Sequence, residues 1–490
     1  MVSKKLTRFF AVTLILLFVL PFSFGVKTVR AEGSEITVFS VEDYIDTDVL
    51  DAFEEETGVK VNYLTFATNE EMYNELLKDK NAVDLICPSE YMIMKMRDEG
   101  LLKKFDTPQN FADYGSDYIK QKFKQAPLNI MDEDESKTYA IGYMWGTIGV
   151  IYRTEDVDGE LLKSWSSLWS EFDGKLTVKD SIRDTYFMAL AEVYKDELIS
   201  WKNKFDGSEC SAKDYNAAIT EIFNRTDKET VDKVEKSLLD LKGKLYGFEV
   251  DAGKSDILTG KINVNVAWSG DAVFSIDQGL YDEDGEPLEN QVVLGYAVPE
   301  EGSNVWFDGY VMTANADEEN SLKFLDYLCS PEVATLNMDY TGYTSCIVGD
   351  EVFEYVKETY SDDESEDTVD LRYFFDPNGT NPDPEAYIIN VAEELKYMFY
   401  AQYPTEDVLT RCAVMKNFDG DELERINEMW KKIKLITFST GKIIAIVSAF
   451  VFAAAAIAVY VNREKLFGGI EKRDEKKSKY KLVSKEEIRI

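Results

Sequence analysis

The first hundred residues restrict the fold more than any other stretch, because they alternate strand and helix patterns. Ile36-Thr-Val-Phe39 is a short apolar run, and Thr47 to Thr57 has helical spacing through Leu50 and Phe53, with Gly58 as the stop. Val59 to Phe66 reads as a strand, and Asn69 is expected to cap a helix reaching Lys78. Val83-Asp-Leu-Ile-Cys87 is a buried-strand run, followed at Pro88-Ser-Glu by a helix ending at Gly100. Parallel neighbours need crossover helices, so this β-α-β-α-β series implies a parallel sheet with ligands at the carboxyl ends of its strands. Those ends carry Ser40 to Tyr44 and Pro88 to Tyr91.

A second series starts near Tyr143. Trp145-Gly-Thr-Ile-Gly-Val-Ile-Tyr152 is an apolar strand, Ser164 to Trp169 a short helix, and Lys175-Leu-Thr-Val178 leads into a helix at Ser181. Lys228 to Lys242 reads as a helix and Lys261 to Trp268 as a strand. So long a body exceeds what one core usually serves, and two α/β lobes that exchange strands are expected. No internal repeat or long flexible linker separates them.

Both ends differ from this body. Lys4, Lys5 and Arg8 precede an apolar run from Phe9 to Phe24, and Val29-Arg-Ala31 offers small residues for cleavage, so residues 1–31 read as a secretory signal. Ile443 to Val461 carries no charge and would extend roughly 28 Å as a helix, which matches a bilayer core. Lysines and arginines crowd residues 462–490, as expected of a cytoplasmic tail. The expected order is therefore a signal, an extracellular domain at 32–435, one transmembrane helix at 443–461 and a basic cytoplasmic tail.

Composition excludes several kinds of chemistry. The chain has no histidine, so histidine-activated nucleophiles, histidine acid–base catalysis and histidine metal sites are unavailable. Its five cysteines, Cys87, Cys210, Cys329, Cys346 and Cys412, show no CxxC spacing, which leaves Cys329 and Cys346 as the one candidate pair. A formal net charge of −38 repels nucleic acid and concentrates cations near the surface. The acidic runs Asp132–Glu135, Asp282–Asp284 and Asp362–Asp367 read as solvated loops without calcium-loop spacing, and no metal or cofactor is assigned.

Against this background two tryptophans stand out, each followed by a carboxylate: Trp268-Ser-Gly-Asp271 and Trp306-Phe-Asp308. An aromatic face beside an anionic oxygen suits a desolvated ammonium group. A tryptophan ending a strand is more often core filling, so the pairs gain weight only from acids and aromatics at other strand ends.

Those residues sit in a longer set that resembles the periplasmic spermidine/putrescine-binding proteins, the solute receptors of polyamine ABC transporters. The matching stretches include Phe53-Glu-Glu-Glu-Thr-Gly58, Asp84-Leu-Ile-Cys-Pro-Ser89, Met96-Arg-Asp-Glu-Gly-Leu101 and Tyr143-Met-Trp-Gly146. Further along come Ser164-Trp-Ser-Ser-Leu-Trp169, Arg183-Asp184 with Met188-Ala-Leu190, Trp268-Ser-Gly270, Pro299-Glu-Glu-Gly302 and Gly342-Tyr343. The resemblance runs from about Glu35 to about Leu435 and implies a type II periplasmic-binding-protein fold. It divides the body into one lobe at about 35–142 and 307–350, and another at about 143–306 and 351–435. It also implies no catalytic residue, a polyamine held in the interlobe cleft and delivery to a permease.

Residue by residue, the resemblance assigns ligand contacts to Asp43, Tyr44, Ser89, Tyr91, Asp184, Trp268, Trp306, Asp308 and Tyr343. Relatives often read Asn-Trp-x-x-Tyr where this chain has Ser40-Val-Glu-Asp-Tyr44, so one aromatic wall is replaced by Val41. Asp184 stands where a glutamate is common, and Ser181-Ile-Arg-Asp184 also reads as a capping box. Ser181 replaces a second acid, and Lys416 falls where a polar ligand contact is common. The alternatives are a receptor for another small cationic solute and a membrane-anchored sensor. An enzyme using Asp43, Asp184 and Asp308 lacks a nucleophile, metal set or phosphate loop.

Overall fold

A computed structural model describes residues 35–282, 284–418 and 420–435. The expected signal, transmembrane segment and basic tail lie outside the described residues. No helix among the described residues is long and apolar enough to cross a membrane.

The N-terminal series forms as its sequence pattern dictates. Strand β1 (Glu35–Val41) is flanked by β2 (Lys60–Phe66) and β3 (Leu85–Ile86), both parallel to it. Helix α1 (Thr47–Thr57) connects the first two strands, burying Val49 and Phe53 and ending at Gly58. The next crossover, α2 (Asn69–Lys78), is capped by Thr68, whose hydroxyl accepts from the Glu71 N–H, and not by Asn69 as expected. Asn69 instead binds Ser89 twice: its amide donates to Ser89 Oγ at 3.0 Å, and its carbonyl accepts from Ser89 N at 3.1 Å. Ser89 precedes α3 (Glu90–Asp98) and, with its hydroxyl engaged, makes no side-chain cap.

Two long strands cross the middle of the molecule. Strand β4 (Ala140–Arg153) is buried over nearly its whole length, with only Arg153 partly exposed, which explains its continuous apolar sequence. Strand β5 (Leu176–Lys179) leads to α4 (Ile182–Val193), and β6 (Gly247–Glu249), β7 (Val264–Trp268) and α5 (Ser269–Leu280) follow. After β8 (Leu294–Ala297) comes the second long strand, β9 (Ser303–Thr313). The strand order is β2-β1-β3-β9-β4-β7-β5-β6. Parallel groups at each end are thus joined by the antiparallel β9–β4 pair.

Two buried clusters pack around this sheet. The larger collects Ile36, Phe53, Leu85, Trp145, Tyr310 and Phe324, while the second collects Leu162, Trp165, Tyr186, Ile219 and Leu238. Val352, Phe374, Phe399 and Leu409 pack in the larger cluster, and the chain reaches the second again with Ala413, Met415 and Phe418. Trp165–Trp169 is a tight three-residue-per-turn helix, stapled by the Trp165 indole donating to the Gly302 carbonyl at 2.9 Å. All five cysteines are free, so Cys329 and Cys346 do not pair.

Where β9 crosses β4 the register shifts. Asp308 faces Met144, but Gly309 faces Gly142, leaving Tyr143 as the extra residue. A Cβ at Gly309 would stand 2.5 Å from the Ile141 carbonyl oxygen. Gly309→Ala should therefore lower stability by about 1–3 kcal/mol, the usual range for overpacking. Thermal melts check this, and an unchanged midpoint would show that the crossing tolerates a side chain.

Candidate functional site

Just before the register shift, β9 sets two side chains on one face. Trp306 and Asp308 are two residues apart in a strand and so point the same way. Trp306 is 8% exposed and has room because Gly146 lies opposite: a Cβ there would come within 2.7 Å of the indole ring. The extra Tyr143 donates its hydroxyl to the Tyr44 carbonyl at 2.6 Å, and their rings meet edge to face at 5.4 Å. Tyr44, arriving from the loop after β1, donates to Asp308 Oδ2 at 2.7 Å. Tyr343 completes the group, with its ring centroid 5.4 Å from Trp306 and 5.7 Å from Tyr44.

Asp308 is the electrostatic centre of this half. Its backbone bridges to Ser89, and its Oδ1 is buried without a hydrogen-bond partner among the described residues. Burial pushes its carboxyl up to about 6, with the Tyr44 and Ser89 hydroxyls pulling the other way. Beside it, Glu90 is 2% exposed, and its Oε2 accepts from the Phe307 N–H at 3.2 Å. Burial, reinforced by the Asp308 charge, raises Glu90 to about 8. Glu90 sits between two predicted contacts, yet an acid in the first turn of a helix ordinarily reads as a solvated partner of the helix dipole.

The other half is built on the second cluster. Ser181 caps α4 by accepting from the Asp184 N–H at 3.4 Å, so the capping reading holds. The half-buried Asp184 carboxyl is pushed up to about 6 by burial, against the Ser181 hydroxyl, the Lys179 charge and the Trp268 indole. Trp268 closes β7 with Lys179 Nζ 4.4 Å from its ring centroid. Burial works against the Lys179 charge, but Asp271 and Glu249 outweigh it and raise the ammonium above its usual value. Asp271 also accepts from the Tyr343 hydroxyl at 3.4 Å, which ties this half to the first.

The remaining predicted contacts are placed differently. Tyr91 donates to Glu70 at 3.1 Å and lies under the Arg183 guanidinium, 3.8 Å from its ring. Arg183 also covers Phe418 at 4.3 Å and donates to the Lys416 carbonyl at 2.6 Å. Lys416 itself is exposed, so its backbone and not its ammonium serves this region. Asp43 is exposed with a φ of 54°, and it makes no hydrogen bond to the cluster among the described residues. The structure thus brings together Tyr44, Ser89, Trp306, Asp308 and Tyr343, sets Asp184 with Trp268, puts Tyr91 under Arg183, and leaves Asp43 outside.

One buried and two half-buried acids, one with an oxygen lacking a partner among the described residues, and aromatic faces between two clusters can hold a cation and order it. A model of the bacterial extracellular solute-binding protein family matches residues 48–362. The chain belongs to that family, which binds solutes outside the cell and does no chemistry on them. Among curated relatives, it is 28% identical over 325 residues to the spermidine/putrescine-binding periplasmic protein of Escherichia coli, covering 65% of this chain and 80% of the relative. It is 25% identical over 329 residues to a putrescine-binding periplasmic protein of the same organism, covering 66% and 80%.

Solved structures show the same two-lobed fold. A spermidine/putrescine transporter substrate-binding protein from Streptococcus pneumoniae aligns with TM-score 0.55 at 23% identity, over 82% of this chain and 99% of its own. The Tp0655 lipoprotein of Treponema pallidum aligns with TM-score 0.57 at 16% identity, over 81% and 99%.

The raised acids make the empty protein sensitive to pH. Free aspartate and glutamate titrate near 4, so the folded chain holds protons that the unfolded chain has released at Asp184 and Asp308 between about pH 4 and 6, and at Glu90 up to about pH 8. Stability present at low pH is then lost as pH rises through about 6 for the aspartates and about 8 for Glu90. Asp308→Asn should raise the melting temperature at pH 8 more than at pH 5. Melts of both proteins across that interval check this, and a constant difference would refute the assignment.

Proposed function

We propose that this chain captures a linear polyamine, putrescine or spermidine, between its lobes and delivers it to the permease of an ABC transporter. The observation that carries the reading is Asp308, a half-buried carboxylate whose buried Oδ1 is unpartnered among the described residues, on the strand that also carries Trp306 and hydrogen-bonded by Tyr44. An alkyl diammonium answers both features: its charge compensates the acid, and its methylenes lie against the rings. Tyr44, Ser89, Trp306, Asp308 and Tyr343 hold one end in this reading, and Asp184 with Trp268 the other. Tyr91 lines the entrance under Arg183, and Asp43 contributes only charge at the rim. The polyamine-binding relatives support the assignment.

Magnitudes agree with capture at useful affinity. Micromolar binding needs about 8 kcal/mol. Charge-assisted hydrogen bonds at about 1.5–3 kcal/mol each, with cation–π contacts at about 0.5–2, supply this after the ordering costs.

Calorimetric titration of the full-length protein in mild detergent should show one site for putrescine or spermidine. No heat and no thermal shift with either would end the polyamine reading, and a response to another small cation alone would favour the broader receptor. Asp308→Asn should weaken binding about tenfold to 150-fold, corresponding to about 1.5–3 kcal/mol. Equal affinity in the folded variant would remove Asp308 from the ligand.

The ends of the chain complete the proposal. We place a signal at residues 1–31, the binding domain at 32–435, a transmembrane helix at 443–461 and the basic tail at 462–490 inside the cell. We divide the binding domain into one lobe at about 35–142 and 307–350 and another at about 143–306 and 351–435, and the packing of Lys396–Gln402 against Ser269–Leu280 and Leu294–Ala297 supports placing that segment in the second. Tethering raises the receptor's effective concentration near its permease without new contacts. Protease treatment of intact cells carrying tags near residue 40 and at Ile490 should remove only the first. Digestion of the C-terminal tag from outside would overturn the topology.

A further inference from the structure

Beside the candidate cleft, a lysine of the chain already occupies a complete ammonium site. The Lys179 side chain is 1% exposed, with Nζ 2.6 Å from Asp271 Oδ2 and 3.1 Å from Glu249 Oε1. It donates to the Val250 carbonyl at 2.7 Å and stands 4.4 Å from the Trp268 ring centroid. Asp271 and the Val250 carbonyl accept two of the ammonium protons, the Glu249 carboxylate pairs with its charge without a hydrogen bond to Oε1, and the indole covers a further side. Asp308 and Glu90, by contrast, form no ion pair among the described residues; only Arg183, lying over Tyr91, acts on Glu90 through its charge.

We propose that Lys179 is a resident ammonium filling the second-lobe end of the cleft, so that the site takes a short diamine in preference to a longer triamine. The inference rests on the polyamine reading above and deepens it. Asp308 with Glu90 serves one ligand ammonium, and Asp184 serves a second. A third would require Asp271 and Glu249, which Lys179 already neutralises. It would also approach the Trp268 ring on which that charge sits, next to Asp184, whose ionisation Lys179 already favours. Lys254, 3.9 Å from Asp271, adds positive charge on the same side. Lys179 closes the buried strand Leu176–Lys179, and a parallel strand presents its carboxyl end to ligand.

Titration calorimetry on the full-length protein in mild detergent, with putrescine and spermidine separately, tests this. The wild type should bind putrescine at least tenfold more tightly than spermidine, and a preference for spermidine overturns the proposal without any variant. Lys179→Met leaves two buried acids uncompensated and so endangers folding. The decisive variant is therefore Lys179→Met with Glu249→Gln, which keeps the cluster's net charge while opening Asp271 to the ligand. Its spermidine-to-putrescine affinity ratio should rise at least tenfold, whereas Lys179→Arg should keep the wild-type ratio. Both ligands binding the double variant with an unchanged ratio would refute the role of Lys179 while leaving polyamine capture intact. Neither ligand binding the wild type would refute both together.

Discussion

The backbone ladder between Ala140–Arg153 and Ser303–Thr313 is the constraint on which the site depends. It is the seam between the parallel halves of the sheet; its regular alternation sets Trp306 and Asp308 on one face, and the register shift just after Asp308 leaves Tyr143 as the displaced residue. Tyr143 then fixes Tyr44 through that residue's carbonyl, and Tyr44 fixes Asp308 through its hydroxyl. A bulge of one residue in a long strand pair thereby aims a tyrosine and locates an acid that no local sequence preference would bury. Gly146 and Gly309 are required where they stand because the opposing ring and carbonyl leave no space for a Cβ.

The electrostatics of the cluster divide along the same seam. On the Asp308 side, burial leaves two carboxyls raised toward neutrality, a cost in the empty protein that a cation relieves. On the Trp268 side, Lys179 has relieved the equivalent cost at Asp271 and Glu249 within the chain. The two sides are therefore not equivalent as ligand ends, although each pairs a tryptophan with an acid. Stability and function oppose one another at Asp308: neutralising it strengthens the fold and weakens the site.

Much of this was legible in the sequence. The first β-α-β-α-β series forms as its hydrophobic periods indicate, and Lys228–Lys242 forms the helix expected there. Tyr44, Ser89, Trp306, Asp308 and Tyr343 converge, although the nearest of these in sequence are two residues apart and the farthest are nearly three hundred. What stayed hidden depended on partners distant in sequence. Trp268 and Asp271 read as a cage for an external ammonium, but the cation that occupies it comes from Lys179, ninety residues earlier. Glu90 read as a helix-start acid because nothing local reveals that Phe307 and Asp308 cover it. Asp43 differs from its neighbour for the opposite reason: it adjoins Tyr44, but in that left-handed turn it is exposed while Tyr44 is buried.

Closure of the lobes follows from the same accounting of charge. Arg183 is held by the Lys416 carbonyl beside Phe418 in the second cluster, yet its guanidinium rests on Tyr91, which extends from α3 in the first. Tyr343 and Asp271 make another side-chain contact between the halves, at a long 3.4 Å. Cation–π contacts are worth about 0.5–2 kcal/mol and an ordinary hydrogen bond about 0.5–1.5, so these two add only modestly to the strand ladder that joins the halves. On the polyamine reading, a bound diammonium would add charge-assisted bonds to Asp308 and Asp184 from opposite sides of the seam, each about 1.5–3 kcal/mol. Those bonds exist together only when the lobes are closed, and a ligand shifts an equilibrium by its differential affinity for the two states. Arg183 thus orients the closed arrangement, and the ligand's second ammonium, more than its first, stabilises it.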